Sequence, residues 1–163
     1  MNGARSLQDV LKDARANQGA GLFTAPVLLV LPEEITLDGD TVTVTPEEAG
    51  GAPASFDGPR TLVVPVQRKL AKSKEPKISF GRSSICDVML AYTPVSKHHG
   101  YFEEQLGVWH VHDVGSTNGT IVDGRQVPHG GAMLRDGSVI QFGHVFARFL
   151  GAKAFAEFVR AQL

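Results

Sequence analysis

A chain of 163 residues is long enough to bury one core and carry an appendage, and its formal charge is only −1, from 16 Lys and Arg against 17 Asp and Glu. Such a total gives no bulk attraction to nucleic acid or to a membrane surface, so neither is expected as a partner. One cysteine, Cys86, excludes a disulfide within the chain and fits a reducing cytoplasm.

The charge is unevenly spread. Residues 1–59 hold 3 Lys and Arg against 9 Asp and Glu, whereas residues 60–163 hold 13 against 8. A basic portion beside an acidic one points to an anionic ligand and to an internal contact. The first twenty residues carry charges throughout with no apolar h-region, and the run from Pro26 to Pro32 is too short to span a bilayer. A soluble cytoplasmic protein is expected.

In chain order, residues 6–17 predict a short helix, with Ser6 as N-cap, Asp9 three residues on, a stripe of Leu7, Val10, Leu11 and Ala14, and Gly19 as the stop. Residues 27–31 read as β. Residues 35–37 and 41–44 alternate with period two about Asp38-Gly39-Asp40, a hairpin that Pro46 closes. Residues 47–59 are a linker rich in Gly, Pro and Ala. From Arg60 the texture changes to short strands at regular spacing, predicted at 61–66, 78–81, 88–90, 100–104, 109–113, 121–122, 126–127, 139–142 and 146–150. Between them lie a basic loop at 69–77 and turns at Asp123-Gly124-Arg125 and Asp136-Gly137. Residues 152–163 predict a closing helix with Phe155, Phe158, Val159 and Leu163 near one face, suited to covering apolar surface. Three units are expected: an acidic extension at 1–59, a β-sandwich at 60–150, and a terminal helix at 151–163.

Three polar tips stand out on this scaffold. Gly81-Arg82-Ser83-Ser84 supplies a cation that keeps its proton, in a planar fork matched to two oxygens of one anion. Ser96-Lys97-His98-His99-Gly100 adds a hydroxyl and a second cation. Asp113 to Thr120 adds Ser116, Thr117 and the Asn118-Gly119 turn, whose residues both tolerate φ > 0. Together they offer what a phosphoryl group needs.

The order Gly81-Arg82, Ser96-x-x-His99, Gly115-Ser116-x-Asn118-Gly119-Thr120 resembles the forkhead-associated (FHA) domain, over about residues 60–150. The resemblance implies an all-β fold, an antiparallel FHA-type sandwich with short N- and C-terminal helices. It implies non-catalytic recognition of phosphothreonine in Ser/Thr kinase signalling, in a partner that is the kinase or its substrate. It assigns Arg82 and Ser96 to the phosphate, Lys97 to a neighbouring contact, Thr117 to the phosphate side of the peptide and Asn118 to the peptide backbone. Gly81, His99 and Gly119 support the site from beneath. Some relatives carry a basic residue two positions before the motif serine; here Pro94 stands there, with Lys97, Arg135 and His144 as substitutes.

Other readings have less behind them. His110-x-His112 and His98-His99 lack the spacing of a zinc site, and no metal or cofactor is expected. Neither a G-x-S-x-G elbow, a Walker lysine nor a G-x-G-x-x-G loop is present, so no catalytic residue is assigned. Asn118-Gly-Thr120 is formally a glycosylation sequon but reads as a turn. The alternative function is a phosphate-independent scaffold that docks through a sandwich face and the flanking helices. Thr36, Thr41, Thr43 and Thr45 in the acidic extension are candidates for a phosphorylated, self-binding segment, whose tether would give it an effective concentration of about millimolar.

Overall fold

The computed structural model describes residues 3–17, 23–31, 55–70 and 74–163, and the backbone of 34–37 and 40–43. The elements run β1 (Arg5–Ser6), α1 (Leu7–Ala16), β2 (Val27–Leu31), β3 (Glu34–Leu37), β4 (Asp40–Thr43), β5 (Leu62–Pro65), β6 (Lys77–Gly81), β7 (Val88–Met89), β8 (Gly100–Gln105), β9 (Val108–Asp113), β10 (Thr120–Val122), β11 (Arg125–Gln126), β12 (Ala132–Leu134), β13 (Val139–Phe142), β14 (Val145–Leu150) and α2 (Ala152–Ala161). A seven-stranded sheet in the order β1-β5-β2-β14-β13-β10-β11 faces a five-stranded sheet in the order β12-β9-β8-β6-β7. Their pairings are antiparallel except β6 with β7.

Side-chain alternation fixes the layers. Leu28 and Val30 of β2, Phe80 of β6, Phe102 of β8, Val111 of β9, Ile140 and Phe142 of β13 and Ala147 of β14 fill the space between the sheets. The other side of β2, Val27 and Leu29, belongs to a second core with Val63, Leu150 and Phe56, covered by Leu7, Val10 and Ala14 of α1 and Phe155 and Val159 of α2. A strand buried on both faces must be apolar at every position, which is why residues 27–31 read Val-Leu-Leu-Val-Leu.

Both helices therefore cap the outer face of one sheet. The Ser6 hydroxyl accepts the Asp9 N–H at 3.1 Å and so caps α1. At the far end of α1, Arg15 donates to the Gln162 carbonyl beyond α2 at 3.4 Å.

The expected boundary at residue 60 differs from this topology. β2 lies between β5 and β14, with Leu29 opposite both Val63 and Arg148, so the sandwich draws an inner strand from before the linker. β1 extends the same sheet, pairing Arg5 with Val63 and Ser6 with Leu62. Neither partnership is local, and neither carries a short-range signal. β12 was also not expected; three residues behind Gly130-Gly131 are too few to show alternation. The predicted hairpin forms, with Ile35 opposite Val42 and Thr36 opposite Thr41. Gly19, Thr45 and linker residues 47–54 lie outside the described residues. Among the described residues no helix is long and apolar enough to cross a membrane.

One end of the sandwich gathers the loops that matter. Phe80 pairs with Gly100, and Gly100 with Asp113, so β6, β8 and β9 reach this end in one row. Across the core, Thr120 pairs with Phe142, which brings the start of β10 and the 143–144 turn to the same end.

Candidate functional site

Loop 82–87 leaves β6 hard against the loop before β8. The Arg82 N–H donates to the Ser96 carbonyl at 2.9 Å and the Ser83 N–H to the Lys97 carbonyl at 3.1 Å. A Cβ at Gly81 would collide with the Lys97 carbonyl oxygen and lie 2.9 Å from that of Ser96. Glycine is needed there because two backbones touch. The Arg82 Nε donates to the Val95 carbonyl at 3.1 Å, which orients an otherwise exposed side chain. Its two terminal nitrogens have no partner among the described residues.

The second and third loops are joined through His99, which is fully buried between Phe80 and Phe142 with ring centroids 5.5 and 5.3 Å away. Its Nδ1 faces the Ser96 N–H at 3.1 Å. A backbone N–H only donates, so Nδ1 is bare and Nε2 carries the hydrogen. Nε2 then donates toward the Gly119 carbonyl at 3.2 Å and the Thr120 hydroxyl at 3.0 Å. Burial lowers the His99 pKa, against the pull of the Asp113 charge and of the Gly119 bond, and so favours this neutral form.

Asp113 organises the third loop. Its Oδ1 accepts the N–H groups of Gly115 and Ser116 at 2.9 and 2.8 Å, and its Oδ2 accepts the hydroxyls of Ser116 and Thr120 at 2.5 and 2.8 Å. Burial works to raise the carboxyl's pKa, but the bonds from Ser116 and Thr120 and the nearby His99 outweigh it and hold the group below its ordinary value. The Ser116 hydroxyl also accepts the Gly119 N–H at 2.9 Å. Gly115 and Gly119 sit at φ +85° and +75°, where the turn needs glycine. Sequence reasoning gave Asp113 no role; the signal was Asp-x-x-Ser, the spacing at which a carboxylate closes a turn onto its own backbone.

The expected recognition residues converge. The Ser96 hydroxyl accepts the Thr117 N–H at 3.0 Å, and the Asn118 side chain donates to the Pro94 carbonyl at 2.8 Å. Arg82, Lys97, Thr117 and Asn118 are exposed and Ser96 is half-buried, all on the rim where the three loops meet. Gly143 packs against Pro94, where a Cβ would lie 2.5 Å from the Pro94 Cβ, so exposed His144 sits beside this rim. Arg135 does not. It follows Leu134, which pairs with Trp109, four residues or about 13 Å along β9 from Asp113. His110 and His112 point outward from β9, His112 stacking on Tyr101 at 4.4 Å. Among the described residues no group of three or more His, Cys, Asp or Glu is arranged to hold a metal ion.

Residues 78–143, which contain all three loops, match the FHA domain family. This chain contains an FHA domain. Over 76 residues, 47% of each chain, it is 37% identical to the glycogen accumulation regulator GarA of Mycolicibacterium smegmatis. Over 80 residues, 49% of this chain and 55% of the relative, it is 35% identical to the oxoglutarate dehydrogenase inhibitor of Corynebacterium efficiens. The chain thus spans about half the length of the curated relatives it matches. Its fold is also that of the FHA domain of a Chlamydia trachomatis protein, with a TM-score of 0.50 at 18% identity over 77% of this chain and 95% of that one. The family match runs from β6 to the turn after β13, so β1 to β5, β14 and both helices lie outside it.

Proposed function

We propose that this chain is a non-catalytic reader of phosphothreonine, acting in the cytoplasm in Ser/Thr kinase signalling, and that its partner is a phosphorylated kinase or kinase substrate. One observation carries the reading. The Arg82 guanidinium is oriented by its Nε bond to Val95 while its outer nitrogens have no partner among the described residues, at the rim shared by Ser96, Thr117 and Asn118. Phosphothreonine brings between one and two negative charges and three acceptor oxygens, which such a fork meets with two parallel bonds.

The remaining roles follow from what each side chain has left to give. Ser96 accepts from Thr117 through its oxygen, so its hydroxyl hydrogen is free to donate to a phosphate oxygen. Thr117 adds a second hydroxyl and Lys97 a diffuse positive charge. Asn118 spends one N–H on Pro94 and keeps its carbonyl oxygen and second N–H for the N–H and C=O of a peptide backbone. Gly81, His99 and Gly119 hold the loops in place, with Asp113 added to that set. The functional unit includes α1, β2 and α2, whose side chains complete the second core. A non-catalytic role accords with two relatives named as a regulator and an inhibitor.

One phosphate and a few backbone bonds set the scale at a micromolar Kd, about −8 kcal/mol. The test is a library of otherwise identical peptides bearing phosphothreonine, phosphoserine or threonine. Binding restricted to the phosphothreonine members is expected. Equal binding of the unphosphorylated members would favour a phosphate-independent scaffold instead.

A further inference from the structure

Beside the arginine loop lies a surface with no part in the roles above. Loop 82–87 exposes Ile85 by 74%, and Leu70 in the neighbouring loop is 75% exposed. Single exposed aliphatic side chains are ordinary, but these two flank one anchor. The Asp87 carboxylate accepts the Lys69 N–H at 3.2 Å through one oxygen and the Ser79 N–H at 3.0 Å through the other. The Ser79 hydroxyl closes the knot by accepting the Asp87 N–H at 3.0 Å. Leu70 and Asp87 line the same cleft of the molecule, with Gly3, Pro65 and Lys69.

Ile85 is therefore held out on a loop that is braced at both ends, by Arg82 and Ser83 on the 96–97 backbone and by Asp87 on Lys69. A preorganised apolar side chain loses little freedom when it binds. Around this loop the cations Arg82, Lys97 and Lys69 outnumber the Asp87 carboxylate. Burial raises the pKa of the Cys86 thiol, the Lys69 charge lowers it and the Asp87 charge raises it, so both charges lie near the sulfur, which sits 3.3 Å from the Lys97 carbonyl. Residues 68–77 carry five Lys and Arg against Glu75 alone. Asp87 thus joins the loop that exposes Arg82 and Ile85 to the one that exposes Leu70, through its bond to the Lys69 N–H.

We propose that the phosphothreonine-bearing protein is gripped at a second point, by an acidic segment carrying an apolar side chain that seats on Ile85, Leu70 and Lys69 beside the arginine loop. The proposal rests on the phosphothreonine reading of the site. It names the partner's chemistry: a phosphothreonine together with an Asp- and Glu-rich stretch that includes a leucine or similar residue. The acidic stretch supplies association rate and salt dependence, and the apolar residue supplies residence time.

Two synthetic phosphothreonine peptides test it by fluorescence polarisation with the full chain. One is a minimal alanine-rich peptide, and the other has the same core extended by an Asp/Glu-rich segment containing leucine. The extended peptide is expected to bind about tenfold tighter, with the gain lost in Ile85→Ser and in Lys69→Gln while the minimal peptide is unaffected. Equal affinity for the two peptides, or a gain that survives both substitutions, overturns the second grip and leaves the phosphate site standing. Unphosphorylated versions of both peptides, run alongside, overturn the underlying reading itself if they bind as tightly. Two further outcomes reassign the surface. If Glu33, Glu34, Glu47 and Glu48 are changed together to Gln and the extended peptide then binds tenfold tighter, the chain's own acidic segment is the occupant. If phosphatidylserine vesicles sediment the wild-type chain but not Ile85→Ser, the occupant is a lipid surface.

Discussion

Replacing His99 with phenylalanine separates the packing of this residue from its hydrogen bonds. The ring still fits between Phe80 and Phe142, but the Ser96 N–H, the Gly119 carbonyl and the Thr120 hydroxyl lose the partner they share at 3.0 to 3.2 Å. Each buried polar group left unpaired costs about 1–3 kcal/mol, and Thr120 keeps its bond to Asp113, so a total of about 2–5 kcal/mol is expected. In a domain of this size that is a fall in Tm of about 5–15 °C, measured by circular dichroism. Acid adds a second signature. His99 has its pKa lowered by burial, so the unfolded chain gains a proton near its ordinary value of 6.5 while the folded chain does not. His99 therefore contributes fully above about pH 6.5, and that contribution is lost as pH falls toward the folded value. The variant should lack this part of the pH profile. Phosphopeptide affinity should fall about ten- to a hundredfold at a temperature where the variant is folded. An unchanged Tm, together with an unchanged slope between pH 7 and 5, would refute the view that His99 ties the loops together.

Further substitutions probe other joints. Gly81→Ala drives a methyl group into the Lys97 carbonyl and should cost about 1–3 kcal/mol in urea unfolding, with weakened peptide binding. Asp113→Asn replaces a carboxylate that accepts four hydrogen bonds and should cost about 2–4 kcal/mol. It should also remove stability that the lowered carboxyl pKa supplies above its ordinary value of 3.8, and that wild type loses as pH falls through the folded value. Phe155→Ala in α2 opens the second core and should cost about 3–5 kcal/mol by the same unfolding assay, with little effect on peptide affinity at low temperature.

That three polar loops would share one rim could be read from the residues alone. Arg82, Ser96 and Asn118 lie in short motifs whose chemistry shows locally, and the loops that carry them close on the same end of the sandwich. What the sequence hid is non-local. The apolar run at 27–31 reads as β, but nothing nearby says that its partners are residues 62–65 and 146–150. Gly81 stands beside Arg82 in the motif, while the demand for glycine comes from the backbone of Ser96 and Lys97, fifteen and sixteen residues away. Arg135 has the right charge for a peptide-reading residue, and only the register of β12 on β9 puts it at the wrong end. Asp113 stood in plain view. Its four hydrogen bonds stay within seven residues, so the spacing of acceptor and hydroxyls could have been recognised as a closed turn.

The most direct measurement is a calorimetric titration of wild type and Arg82→Ala with one phosphothreonine peptide that the wild type binds. A micromolar Kd for wild type and a loss of about 2–5 kcal/mol in the variant, which strips the desolvated phosphate of its main cation, is the expected result. Equal affinities, with both proteins folded, would contradict the assignment of the phosphate to Arg82.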